Sequence, residues 1–106
     1  VRHLSAVELH DRLARKSTAP FVLDVREPWE TAICSLPGSI NIPMDEIPRR
    51  EDELPADKDI VVVCHHGVRS LQVAYYLEHR GFRNLHNLTG GIDAWSRDVD
   101  PSTPTY

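Results

Sequence analysis

Two cysteines in 106 residues, Cys34 and Cys64, are too few to staple a small fold with disulfides. No apolar run approaches the ~20 residues of a membrane-spanning helix, so no membrane association is expected. The first residues, VRHLSAVELH, lack the apolar stretch of a secretory signal and an initiator Met. A reducing, cytoplasmic setting is therefore expected, with the chain either free or cut from a longer protein. Positive charge is in deficit: 12 Lys and Arg stand against 16 Asp and Glu, a net charge of −4, which is the opposite of the balance a general nucleic-acid binder shows. Repeats, low-complexity tracts and interior linkers are absent. What remains is an ordinary globular composition, 41% hydrophobic and 26% charged, at the length of one domain. A chain of this size buries about two-thirds of its unfolded surface and folds without a metal.

The pattern along the chain alternates short apolar strands with helical stretches. Ser5 and Glu8 form a capping box ahead of Leu9 and Leu13, predicting a first helix over Ala6 to Lys16. Phe21-Val22-Leu23 closes on Asp24 as a buried strand, and Pro28 suits the first turn of a helix from Pro28 to about Ile33. Ser39 to Ile42 reads as a short strand after the turn at Pro37-Gly38. The acidic stretch from Met44 to Leu54 is helical in part, its Asp45 to Glu53 portion a solvated face. Ile60-Val61-Val62-Val63, apolar and β-branched throughout, predicts a central strand covered on both faces. A helix follows from about Arg69 or Ser70 to a closing Gly81, then a strand from Leu85 to Leu88 and a short helix from Gly90-Gly91 to near Trp95. Residues 97–106, with two prolines and no periodicity, read as an irregular tail of a single domain over 1–106. Alternation of this kind means an α/β fold: a parallel sheet with helices on both faces, whose ligands bind at the carboxyl ends of the strands.

Cys64 stands at such an end, directly after the central strand. The segment Cys64-His65-His66-Gly67-Val68-Arg69-Ser70 is a tight loop running into a helix. A loop of this form can turn successive backbone N–H groups inward, and the helix N-terminus adds partial positive charge. Arg69 adds a full one. Together they favour the thiolate of Cys64, which is the nucleophilic form. A buried structural cysteine is the alternative for an arbitrary Cys, but strand, loop, glycine, arginine and helix start coincide here.

With these residues in view, the chain resembles the single-domain rhodaneses, a family of sulfurtransferases. Leu23-Asp24-Val25-Arg26-Glu27-Pro28 followed by Glu30, then Leu36 to Pro43, then the loop Cys64 to Ser70, and finally Gly81-Phe82 with Leu88-Thr89-Gly90-Gly91-Ile92-Asp93-Ala94-Trp95, match the family's four motifs in order. The resemblance implies a rhodanese-like α/β fold of about five parallel strands. It implies a Cys64 persulfide, loaded from a small-molecule donor such as thiosulfate and discharged to cyanide or a thiol. His65, His66, Gly67, Val68, Arg69 and Ser70 would surround the transferred sulfur, with Arg69 holding an anionic donor. Asp24 and Arg26 would support the site, either as an ion pair bracing the loop or through the charge they bring to the pocket. Two alternatives stay open: a relay module taking sulfur from a desulfurase to a protein acceptor, and a non-catalytic binding module. The loop has six positions from Cys64 to Arg69, one fewer than in related phosphatases, which disfavours phosphate chemistry.

Other candidates are read more plainly. The His65 and His66 rings either line the mouth or face solvent while only their amides matter. Adjacent ligands cannot easily wrap one tetrahedral ion and the usual spacings are missing, so no metal is expected, nor any organic cofactor. Cys34 and Ser35 stand where the family commonly has Gly-His; Cys34 is read as a small packing residue, with a resolving thiol as the alternative. Trp29 and Trp95 are assigned to packing before a pocket rim. Gly90-Gly91 lacks the pattern of a phosphate loop and is a turn. A monomer is expected.

Overall fold

The computed structural model describes all 106 residues. Five strands form one sheet: β1 (Arg2–Leu4), β2 (Phe21–Asp24), β3 (Ile40–Asn41), β4 (Ile60–Val63) and β5 (Leu85–Leu88). Their order is β1-β5-β4-β2-β3 and every pairing is parallel. The helices are α1 (Ala6–Leu13), α2 (Pro28–Ile33), α3 (Ile47–Arg50), α4 (Val68–His79) and α5 (Gly91–Asp98), with single 3-10 turns before and after α3. β4 lies third of the five, and all four of its residues are buried, as expected for a strand covered on both faces.

The sheet divides the core in two. Val61 and Val63 point to one face, where Leu9 of α1, Leu36, and Ile92 and Trp95 of α5 pack. Ile60 and Val62 point to the other, where Ile47 of α3 and Val73, Ala74 and Leu77 of α4 pack. The two cysteines fall on opposite sides of this division: Cys34 belongs to the first cluster and Cys64 to the second.

Several boundaries differ from the sequence reading. β1 is not visible as a strand in the sequence, because two of its three residues are exposed at the sheet edge and only Leu4 is buried. α1 keeps its capping box, Ser5 Oγ accepting from the Glu8 amide at 3.1 Å, but ends at Leu13 rather than Lys16. The Thr18 hydroxyl donates to the Arg12 carbonyl at 2.9 Å, taking an acceptor that a longer helix would use. α4 starts at Val68, a residue or two early. α5 runs three residues past Trp95, because Val99 packs on the same core cluster as Trp95 and Arg97 pairs with Asp93 one turn back. The tail after it is also ordered. Asp100 caps the Ser102 amide at 3.1 Å, and Ser96 Oγ donates to the Thr103 carbonyl at 2.8 Å.

Asp24, Cys64 and Thr89 share one edge of the sheet, the carboxyl ends of β2, β4 and β5. Between the last two the chain is tightly apposed. The amides of Ile92 and Asp93, at the start of α5, donate to the carbonyls of Cys64 and His65 at 2.9 and 3.1 Å. Only glycine permits this approach: Gly91 has φ +61°, and a Cβ there would overlap both carbonyl oxygens. Gly91→Ala is expected to cost more than about 2 kcal/mol and to disturb the Cys64 loop. Gly38→Ala, with φ +72° and nothing within 4 Å, should cost only the roughly 1 kcal/mol of a left-handed residue. Urea denaturation of the two variants checks the difference.

Candidate active site

Cys64 leaves β4 at its carboxyl end and its side chain is turned inward, the residue being 1% exposed. The chain then folds tightly through His65 and His66 to Gly67, whose φ of +104° is open to glycine and strained for other residues. That turn points the Gly67 N–H at Cys64 Sγ, 3.0 Å away. Gly67 also stands immediately ahead of α4, so the sulfur lies at the N-terminal end of a twelve-residue helix. A second polar group meets it from the first turn of α4: Ser70 Oγ is 3.3 Å from Sγ.

Ser70 is held in turn by Asn87, a fully enclosed residue of β5 that the sequence reading did not single out. The Ser70 hydroxyl donates to Asn87 Oδ1 at 2.5 Å, and Asn87 Nδ2 donates to the Gly67 carbonyl at 3.2 Å. One side-chain amide thus fixes both ends of the sulfur's surroundings. A polar residue in the middle of an otherwise buried strand, Leu-His-Asn-Leu, was the available signal.

A chain of charged side chains closes the other side. Arg69, in the first turn of α4, makes a two-pronged ion pair with Glu30 of α2, at 2.7 and 2.8 Å. Glu30 also accepts from the Tyr106 hydroxyl at 2.7 Å. Tyr106 in turn accepts from Arg26 Nη1 at 3.0 Å. Arg26 is fully buried and grips the Asp24 carboxylate, its nearest contact 2.6 Å, and the Cys34 carbonyl at 2.7 Å. Asp24 and Arg26 therefore form a buried ion pair, and the pair reaches Arg69 through Tyr106 and Glu30. Burial and the Glu30 carboxylate push the Tyr106 phenol up to about 12, against the pull of Arg26, so it stays protonated and able to donate. The residue Glu30 was visible only as part of a motif, and Tyr106 only as part of the tail.

The two histidines sit over this network. His65 stacks on Tyr106, ring centroids 3.9 Å apart, and on His66 at 3.9 Å, while Trp29 meets Tyr106 edge-on. Trp29 is 63% exposed and belongs to this rim, whereas Trp95 is in the core. Burial, together with the neighbouring His66, pushes the His65 imidazole below its ordinary value, against the pull of Asp93 and Glu30. His65, His66 and Asp93 bring one potential metal ligand each within 4.8 Å of one another. The two imidazoles are stacked, with 27° between their planes. Val68 is exposed and contributes its place at the start of α4. Cys34 packs with the core, its Sγ 3.9 Å from Arg26 Nη1. The largest cavity, about 810 Å³, lies at the opposite end of the strands, among Arg12, Thr18 and Asp59.

Glu30 carries a consequence for pH. Its hydrogen bonds with Arg69, aided by Tyr106 and the Glu27 amide, hold its carboxyl down to about 2 against the opposing effect of burial. A carboxyl whose folded value lies below its unfolded one contributes stability that is complete above the unfolded value and is lost as pH falls toward the folded one. The unfolding free energy should therefore fall by a few kcal/mol between about pH 5 and about pH 2. In Glu30→Gln the decline over that window should be shallower, measured by urea denaturation at a series of pH values.

Comparison with known proteins places this arrangement. Residues 5–98 match the model of the rhodanese-like domain. A sulfurtransferase of Allochromatium vinosum is 38% identical over 92% of this chain and 90% of its own. A chloroplastic rhodanese-like/PpiC domain-containing protein of Arabidopsis thaliana is 40% identical over the whole chain, which spans 38% of that protein's length. An adenylyltransferase and sulfurtransferase of Drosophila persimilis is 35% identical over 99% of this chain, here only 25% of the relative. Among solved structures, a rhodanese-like domain protein from Staphylococcus aureus superposes with a TM-score of 0.85 at 31% identity, covering 100% of this chain and 99% of its own. A rhodanese-related protein from Thermoplasma volcanium gives 0.83 at 35%, covering 98% and 96%. The five-stranded parallel sheet, the Cys64 loop at its carboxyl edge and these relatives agree: the chain belongs to the rhodanese-like domain family.

Proposed function

We propose that this domain is a sulfurtransferase that carries a sulfane sulfur as a persulfide on Cys64. The observation that carries the reading is the Gly67 N–H aimed at Sγ from 3.0 Å, at the end of the central strand and the start of a long helix. That donor stabilises a thiolate and would equally stabilise the anionic outer sulfur of a persulfide, as an oxyanion hole stabilises oxygen. Ser70 has a single hydroxyl proton and two neighbouring acceptors, Asn87 Oδ1 and a Cys64 thiolate. It can donate to Sγ when the sulfur is ionised and accept from the S–H when it is not.

With thiosulfate the first half-reaction is a displacement at the sulfane sulfur. The Cys64 thiolate bonds to that sulfur, the donor S–S bond breaks, and its electron pair leaves with sulfite, giving Cys64–S–S⁻. In the second half-reaction an acceptor, cyanide or a thiolate, bonds to the outer sulfur and the electron pair of the persulfide bond returns to Cys64. Two such steps through one covalent intermediate predict ping-pong kinetics. The cycle needs Cys64 as a free thiol at its start and returns it at its end, which suits a reducing, cytoplasmic setting.

A relay role is the second reading. Its support is the match to adenylyltransferase and sulfurtransferase proteins, of whose length this chain corresponds to about a quarter. In that case a desulfurase loads Cys64 and a protein accepts the sulfur.

Intact mass spectrometry after incubation with thiosulfate tests the proposal. The expected outcome is a gain of one sulfur atom that is lost on adding cyanide, absent in Cys64→Ala and retained in Cys34→Ala. A sulfur adduct that survives Cys64→Ala would overturn it. Loading by a desulfurase alone, with thiosulfate inert, would favour the relay.

A further inference from the structure

We propose that Glu30 sets the donor specificity of this site: by holding Arg69 in a two-pronged ion pair it leaves the mouth without a free cation, and so favours sulfane-sulfur donors of low net charge, of the alkyl persulfide class, over a dianion such as thiosulfate. This rests on the persulfide reading above and asks which donor that chemistry takes.

Two cations belong to the network beside Cys64, and both are occupied. Both terminal nitrogens of Arg69 are bound by the two oxygens of Glu30, whose side chain is 4% exposed and so cannot swing away into water at little cost. Arg26 has no exposed surface and is matched by Asp24. At the rim, His65 is stacked between Tyr106 and His66, and the Asp93 carboxylate stands near the histidines. The whole chain carries −4, so its long-range field opposes an approaching dianion. What attracts negative charge is the Gly67 N–H with the end of α4, a partial charge suited to one sulfur anion. The exposed face above it is aromatic, built from Trp29, Tyr106 and His65.

The persulfide half-reaction balances without a co-reactant. The Cys64 thiolate bonds to the outer sulfur of R–S–SH, the S–S bond breaks, and its electron pair leaves on the inner sulfur. The proton of the outer sulfur passes to that leaving thiolate, giving Cys64–S–S⁻ and RSH.

The test compares kcat/KM for loading Cys64 from thiosulfate and from cysteamine persulfide, whose ammonium offsets its ionised sulfur. In Glu30→Gln, Arg69 is released, and the thiosulfate-to-persulfide ratio should rise by about fivefold or more over the unmodified protein. Adding Arg69→Ala to Glu30→Gln should return the ratio to its original value or below. In the unmodified protein, thiosulfate kcat/KM should hold level or rise from about 20 to about 200 mM salt, because Arg69 is neutralised by Glu30 and the chain's net charge of −4 repels the dianion until salt screens it. This last measurement needs no variant to fold. Both donors falling alike in Glu30→Gln would reduce Glu30 to scaffolding and overturn the inference, as would a steep loss of thiosulfate activity with salt. Either result leaves the persulfide reading intact. Failure of both donors to load Cys64 overturns that reading, and this inference with it.

Discussion

Arg26 brings a full positive charge to a place that water does not reach, and the edge of the sheet is arranged around that fact. Left unpaired there, a guanidinium would cost several kcal/mol, so every one of its directions is answered. Asp24 takes the charge, the Cys34 carbonyl takes one nitrogen, and Tyr106 takes another. Asn41 completes the frame by donating to the Asp24 and Arg26 carbonyls, which ties β3 to the end of β2. Because Cys34 ends α2 and Tyr106 lies in the final segment, a single ion fixes the start of one loop, the end of one helix and the return of the chain. Removing either partner of a buried pair of this kind typically costs about 3–5 kcal/mol.

From that anchor the constraint passes outward in steps. Tyr106 bridges to Glu30, Glu30 to Arg69, and Arg69 opens α4, whose first turn carries Ser70 to the sulfur. On the opposite side the Cys64 and His65 carbonyls are held by the amides of α5, and the Gly67 carbonyl by Asn87. The loop is clamped from both flanks, so the Gly67 N–H faces Sγ with no rearrangement. Preorganisation of this sort is how a weak partial charge becomes an effective stabiliser of an anion.

The parts of this design that were legible in the sequence are local ones. The β-branched run Ile60 to Val63 announced the central strand, Pro28 announced α2, and the Cys64–Ser70 segment announced a loop between strand and helix. Asp24 and Arg26 were readable as a possible ion pair through the family motif that contains both. The parts that were not legible join distant positions. Tyr106 meets Glu30 across 76 residues and Arg26 across 80, and Ser70 meets Asn87 across 17. No periodicity or motif encodes such pairs; they exist only once the sheet has brought its carboxyl ends together. β1 escaped for a different reason. At a sheet edge with a single buried residue, its hydrogen bonds to β5 do the work that apolar pattern does elsewhere.

On the persulfide reading, the division of the core by the sheet also decides where a transferred sulfur could go. Cys34 and Cys64 are both buried, and they lie in clusters on opposite faces of a wall whose backbone polar groups are engaged in the ladder. Thiol exchange needs one sulfur to approach another in line, and here a layer of hydrogen-bonded backbone stands between the only two thiols that the chain owns. A sulfur lodged on Cys64, as proposed, would therefore have no internal exit as a disulfide. On the persulfide reading the molecule would work as a terminal with one berth: it would hold its cargo until a second molecule came to collect it, and that encounter, rather than the chain itself, would set the lifetime of the loaded form.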